Sequence, residues 1–483
     1  MRFLFLIVWL VQIIMLLFFY FIEDLNYSDS NLALLILMGG VNTLLFFIYK
    51  KKIRQSKKSG IWSLIFLVGY IIVFFQFYID LLFGNFYIYD RIFANSNTII
   101  NCVIISLCGL FAFFCGYTFR TIKSISGHKE VKPVILPKTT PLKILLFISL
   151  LLFIIYNYKI ILMGGYSQEM LEAQAGTMGL YSNMLFQIFL FLYVSYKSST
   201  FKYFSNTNFK SYVKHIGFIV NVCVVIYAIG ILMSGDRGPV IVLSLAYWGG
   251  YLLATKNDIS YVRLTLFIGV AAVLITLLGN MRKLDNNMAY WDKIKQSVNT
   301  IPASNESFSP YTKELAGSVS TLHYAVDYVP NKHPFLYGSF QFRQLCSTIP
   351  FMNHLVYTFT DRHFKYRSSA YFVTWIIQGE NYTYGSGTSC NADLYLSFGI
   401  IGVVFGLLLW GVIYRRIEDH VDSSSINIIG NIVILYFLSY SLYVNRASVF
   451  CFINFMMFTI IFKFIYEKLF IKREIIRQNS LEL

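Results

Sequence analysis

Residues 31–58 read NLALLILMGGVNTLLFFIYKKKIRQSKK. The first part, 31–49, carries no charged side chain; the second carries Lys50, Lys51, Lys52, Arg54, Lys57 and Lys58 with no acid among them. About 20 apolar residues at 1.5 Å rise cross the ~30 Å of hydrocarbon in a bilayer. Backbone groups in lipid find no water, so a run of this length without strict alternation closes its own hydrogen bonds as a helix. The basic block at its end marks the cytoplasmic side.

The same pattern repeats outward along the 483 residues, which are 57% hydrophobic and 13% charged, against roughly 25% charged for a soluble domain. Apolar runs at roughly 3–22, 31–49, 61–83, 98–118, 143–163, 180–196, 215–233, 239–255, 262–279, 394–414, 427–443 and 448–466 predict an all-α polytopic protein with about twelve membrane helices. Arg120, Lys123, Lys129, Lys132, Lys138 and Lys143 follow the fourth span, and Lys197, Lys202, Lys210 and Lys214 the sixth. The alternate loops carry Glu23, Asp24 and Asp29, then Glu169 and Glu172. This bias puts both termini in the cytoplasm and the long loop between helices 9 and 10 outside. The chain therefore divides into spans 1–9 over 1–279, the outer loop over 280–393, spans 10–12 over 394–466 and a cytoplasmic tail, 467–483.

The net charge of +16 sits in loops beside the membrane, which argues for lipid headgroups and against nucleic acid as its counterpart. The apolar run at the N-terminus lacks a small-residue cleavage site, so it reads as a retained helix. Of seven cysteines, none stands in a CxxC pair; Cys102, Cys108, Cys115, Cys223 and Cys451 lie in apolar spans. Cys346 and Cys390 share the outer loop, where pairing is open.

That loop holds His323, His333, His354 and His363, ten Lys/Arg and eight Asp/Glu. Two further cations stand where the orientation disfavours them. Arg237 lies in Ser234-Gly235-Asp236-Arg237-Gly238-Pro239, and Arg446 in Asn445-Arg446-Ala447-Ser448, both short turns on the outer side. Arginine at a membrane is costly unless paired or functional, and its guanidinium binds phosphate bidentately. The functional reading is a phosphate-binding pair, joined by Arg282 at the end of the ninth span. The plainer readings are an Arg237–Asp236 pair, a snorkelling Arg446, and Arg282 and Lys283 closing a helix through its dipole.

Within the loop, Tyr311–Val326 predicts a helix carrying Glu314 and His323. Residues 335–339 read as a turn, Phe340–Thr360 as a re-entrant or interfacial amphipathic segment, and Ile376–Ser389 as a Gly-, Tyr- and Thr-rich loop suited to a sugar. Tyr337, Tyr382 and Tyr384 are candidates to stack on glycan rings, although tyrosine is abundant throughout (36 residues). Asp393 stands at the mouth of the tenth span. No Asp-x-Asp pair, HExxH or Gly-rich phosphate loop occurs, so neither a metal nor a cofactor is expected.

The stretch Gly387-Thr388-Ser389-Cys390-Asn391-Ala392-Asp393-Leu394-Tyr395-Leu396-Ser397-Phe398-Gly399-Ile400-Ile401-Gly402 resembles the bacterial repeat-unit polymerases called Wzy, in which a small/polar cluster, an acid, an aromatic and Phe-Gly-x-x-Gly open the helix after the outer loop. Ser234–Gly238 resembles that family's Ser-Gly-x-Arg-Gly turn. Lys313-Glu314-Leu315, Tyr337-Gly338-Ser339, Ile349-Pro350 and Arg446-Ala447-Ser448 fall in its order. The resemblance covers roughly 230–450. It implies an inner-membrane O-antigen or capsular polysaccharide polymerase, a metal-independent, inverting-type glycosyltransferase. Its partners would be undecaprenyl-diphosphate-linked oligosaccharide, membrane lipids and a chain-length regulator protein.

Such chemistry needs cations on a leaving diphosphate and a base for the acceptor hydroxyl. Arg237, Arg446 and Arg282 are assigned to the first; Glu314 is favoured for the second, followed by His323 and Asp393. Each base candidate has a structural alternative: an ion pair for Glu314, a helix-face hydrogen bond for His323, a helix cap for Asp393. Glu23-Asp24 in the first outer loop is a further acid candidate. The competing classes are an O-antigen ligase, with the same donor, and a lipid-linked oligosaccharide flippase. The latter is disfavoured because the long loop breaks any twofold relation between halves.

Overall fold

The computed structural model describes residues 2–22, 26–53, 60–84, 96–119, 139–163, 176–201, 208–234, 238–255, 292, 295–297, 309, 312–349, 352, 356, 361–422 and 427–470. Among these residues the secondary structure is helix throughout, with no strand. Among the described residues seven helices are long and apolar enough to cross a membrane, or eight if one bent pair counts as a span. Each expected span has a helix over it except 262–279, which lies outside the described residues. Two of these helices, Gly238–Ala254 and Ile428–Tyr440, are apolar but shorter, at 17 and 13 residues.

The chain forms two compact units. The first comprises Met1–Thr121, Ile259–Glu418 and Ser441–Cys451. Its spanning helices are α1 (Arg2–Phe21), α2 (Asp29–Ile53), α3 (Ile61–Leu82) and α4 (Ser96–Phe119). Their burial ranks them: 94% of the α4 span is buried but only 17% of α1. On α1, Phe3, Leu4, Ile7, Val11, Ile14 and Phe18 face outward, an apolar stripe at helical spacing that suits a lipid-facing helix. The core between these helices is aromatic, with Phe46 stacked on Phe114 at 4.3 Å and Phe66 on Phe113 at 4.8 Å.

The second unit comprises Ile122–Asp258, Asp419–Tyr440 and Phe452–Leu483. It holds α5 (Thr140–Met163), α6 (Gly176–Phe201), α7 (Phe209–Ile216), α8 (Phe218–Met233) and α9 (Gly238–Ala254). α5 and α9 both pack on α6. α7 is capped by the Asn208 side chain, which accepts from the Ser211 amide at 2.7 Å, and meets α8 at a 94° bend.

The long polar segment ahead of the tenth expected span builds short helices in the first unit: α10 (Lys313–Ala316), α11 (Ser320–Tyr328), α12 (Ser339–Cys346) and α13 (Ser369–Gln378). A single 3-10 turn, Gly317–Val319, joins α10 to α11, so the expected helix through Val326 forms with one tightened turn. All of them lie towards one end of the unit. α10 packs on α3, α11 on α4, and Gln76 near the end of α3 accepts from Thr312 Oγ1 at 2.6 Å.

The chain then enters α14 (Cys390–Asp422), followed by α15 (Ile428–Tyr440) and α16 (Ile453–Phe470). α4 and α14 cross with backbones in contact. A Cβ on Gly116 would lie 1.9 Å from the Leu408 carbonyl oxygen, and one on Gly411 2.2 Å from that of Phe113. Small residues at a crossing gain dispersion contacts that lipid tails cannot supply. At the end of the unit opposite the short helices α10–α13, Glu418 of α14 accepts from Ser63 N (2.9 Å), Ser63 Oγ (2.7 Å) and Tyr117 OH (2.5 Å). Lys50 Nζ stands 3.5 Å from the same carboxylate, with both side chains buried.

Candidate active site

α14 is not the straight span expected from 394. It begins at Cys390 and breaks at Phe398 (φ −143°, ψ 22°) and Gly399 (φ +64°, ψ −156°). The positive φ accounts for the glycine, since an L side chain there would be strained. A Cβ would also press on the Phe335 ring at 3.1 Å. The break frees carbonyls, and the segment before α12 takes them: Tyr337 N donates to Ser397 O and Leu336 N to Leu396 O, both at 2.9 Å. Tyr337 itself has φ +45° and Gly338 φ +77°, a tight turn that seats Gly338 against Phe398. Tyr337-Gly338-Ser339 and Phe398-Gly399-Ile400-Ile401-Gly402 are thus two halves of one docking contact.

The short first segment of α14 carries the polar cluster. Thr321 Oγ1 donates to Ser389 Oγ at 3.0 Å, and Asn391 Nδ2 to Tyr70 OH at 2.8 Å. Asp393 is fully buried, and its Oδ2 accepts from Val449 N at 3.0 Å. Its Oδ1 makes no well-aligned hydrogen bond among the described residues, and the buried Ser369 hydroxyl stands beside the carboxyl group. Helix α12 braces this segment against the chain after α15. Gln341 Nε2 donates to Asp393 O at 3.2 Å, and three residues on, along the same face, Gln344 Nε2 donates to Ser448 Oγ at 2.7 Å. On the other side of Arg446, Asn445 is buried and donates to Phe66 O at 3.2 Å. Arg446 ends the 3-10 turn Tyr443–Arg446, is half-buried, and makes no hydrogen bond or ion pair among the described residues.

The remaining candidates fall in different surroundings. Glu314 lies exposed in the first turn of α10. His323 is buried, its Nε2 2.9 Å from Tyr78 OH and its ring stacked on that tyrosine. Burial pushes its pKa down to about 3, because a low-dielectric site disfavours the imidazolium. Tyr337 and Tyr384 are 72% and 53% exposed. Tyr382 packs 5.0 Å from the Phe364 ring, in an aromatic group with Tyr371, Tyr366, Phe372 and Trp375. Arg237, Arg282, His354, Glu23 and Asp24 lie outside the described residues. Cys346 and Cys390 are free thiols.

Sequence reading missed Gln341, Gln344 and Ser369. Their signal was faint: two amides three residues apart on a short helix, and a serine at a helix start. Asp393 does stand in the first turn of α14, as expected, and that turn is buried.

The fold and this constellation define a multi-pass membrane protein with a polar centre built where the short helices α10–α13 dock on a broken span. The chain belongs to the O-antigen polysaccharide polymerase Wzy family, whose match runs over residues 1–476. It is accordingly a glycosyltransferase-like polymerase of polysaccharide biosynthesis, acting on lipid-linked repeat units in a membrane. No curated protein and no solved structure matches it.

Proposed function

We propose that the protein lengthens O-antigen or capsule by moving the growing glycan from undecaprenyl diphosphate to the non-reducing end of the next lipid-linked repeat unit. The reaction takes place at the periplasmic face of the bacterial inner membrane, with both termini inside and twelve spans. The observation that carries this reading is Arg446: a guanidinium without a hydrogen-bond or ion-pair partner among the described residues, in a turn fixed on both flanks. A preorganised cation of this kind stabilises the charge that grows on a departing diphosphate. For Arg237 and Arg282 the same role rests on the sequence alone.

Glu314 is the proposed base. Of the three base candidates it is the exposed one, while His323 and Asp393 are enclosed by protein. As the glycosidic carbon passes from phosphate oxygen to the acceptor oxygen, Glu314 takes the acceptor proton. Attack opposite the leaving diphosphate inverts the anomeric centre. Tyr337 and Tyr384 offer exposed rings on which sugars stack. The reading is of catalysis by protein cations.

The polysaccharide ladder of a deletion strain tests the proposal. Core capped with a single repeat unit is expected. Unmodified core would point instead to a ligase or flippase and overturn it.

A further inference from the structure

We infer that Asp393, with Gln344, is a positioning residue that fixes the Arg446 turn, and that its carboxylate is not the reaction's base. This rests on the reading of Arg446 as a diphosphate ligand. The turn is tied at three points flanking the arginine: Asn445 to the Phe66 carbonyl of α3, Ser448 to Gln344 of α12, and Val449 N to Asp393 Oδ2 of α14. The Arg446 side chain between them makes no hydrogen bond or ion pair among the described residues. Asp393 is fully enclosed, and its backbone carbonyl is itself braced by Gln341. A carboxylate in that position cannot touch a glycan hydroxyl without opening the α12–α14 contact, but it can set where the turn, and so the guanidinium, sits.

The arrangement also gives the outer loop a task. Leu336 and Tyr337 dock on the carbonyls freed by the α14 break, and the helix that follows delivers Gln341 and Gln344. Loop, break and arginine turn are one linked assembly. A ligand held by a preorganised group loses affinity when its support is removed, typically by about 10-fold or more.

The test uses full-length protein in detergent, with undecaprenyl diphosphate as the probe for binding and polymer formation as the second readout. D393N keeps an oxygen that can accept from Val449 N; it should retain affinity within about 3-fold, retain polymer and leave the pH profile of activity unmoved. D393A and Q344A should each weaken binding about 10-fold, and neither should weaken it further in an R446A background. Q344A alters a less buried contact, so it reports even where D393A fails to fold. D393N that binds normally yet makes no polymer would overturn the inference and make Asp393 the base, leaving the Arg446 reading intact. R446A that binds with wild-type affinity would instead remove the diphosphate reading itself, and this inference with it.

Discussion

Arg446 is a half-exposed cation beside anchored neighbours, and that contrast carries its functional weight. Shortening it in R446A should abolish polymer while leaving single repeat units on core, read from the polysaccharide ladder. R446K should recover only part of the chain length, because an ammonium lacks the planar fork that grips two phosphate oxygens. His323 behaves differently. Its folded pKa of about 3 lies below the roughly 6.5 of an unfolded chain. Above pH 6.5 the group is neutral in both states and contributes no pH dependence. As pH falls below that value the unfolded chain binds the proton and the fold does not, so stability drops, by about 2 kcal/mol between pH 6.5 and 5. Thermal unfolding should therefore show a larger drop in midpoint from pH 7 to pH 5 in the wild type than in H323Q; equal drops would contradict it. At this scale residue type was legible: a lone arginine in a short turn between two apolar runs stands out in the sequence. Burial was not, since nothing in the spacing of Glu314, His323 and Asp393 says which one reaches solvent.

Among the elements, the break in α14 decides where the segment before α12 docks. Gly399 at φ +64° against Phe335 admits no other residue without strain of about 1–3 kcal/mol. G399A should lower the thermal midpoint and shorten or abolish polymer together, measured on the same membranes; full activity would show that the break is dispensable. The Phe-Gly-x-x-Gly pattern was visible in the sequence, but as a motif with no mechanical meaning. Hydropathy ran straight through it, because a helix break lined by Leu, Phe and Ile is as apolar as an intact span. What the pattern encodes is a set of freed carbonyls, and these find their donors at Leu336 and Tyr337, about sixty residues earlier in the sequence, a pairing that no local periodicity reports.

Over the whole molecule, the helical layout was the most legible property, since long apolar runs punctuated by basic loops leave few alternatives. The division into two units was not, because each is assembled from segments distant in sequence. Within the first unit, Lys50 and Glu418 join the ends of α2 and α14, with Ser63 and Tyr117 completing the carboxylate's shell. K50M leaves a buried charge without its ion-pair partner and should cost about 3–5 kcal/mol, whereas K50M/E418Q should recover much of it; thermal unfolding of the single and double variants in detergent checks this.

Reconstitution tests the central claim most directly. Purified protein in lipid vesicles, supplied with undecaprenyl-diphosphate-linked repeat units in the presence of EDTA, should build a lipid-linked ladder. It should release one undecaprenyl diphosphate for each repeat unit joined, and R446A should do neither. A strict metal requirement, or polymer formed without that release, would contradict the account.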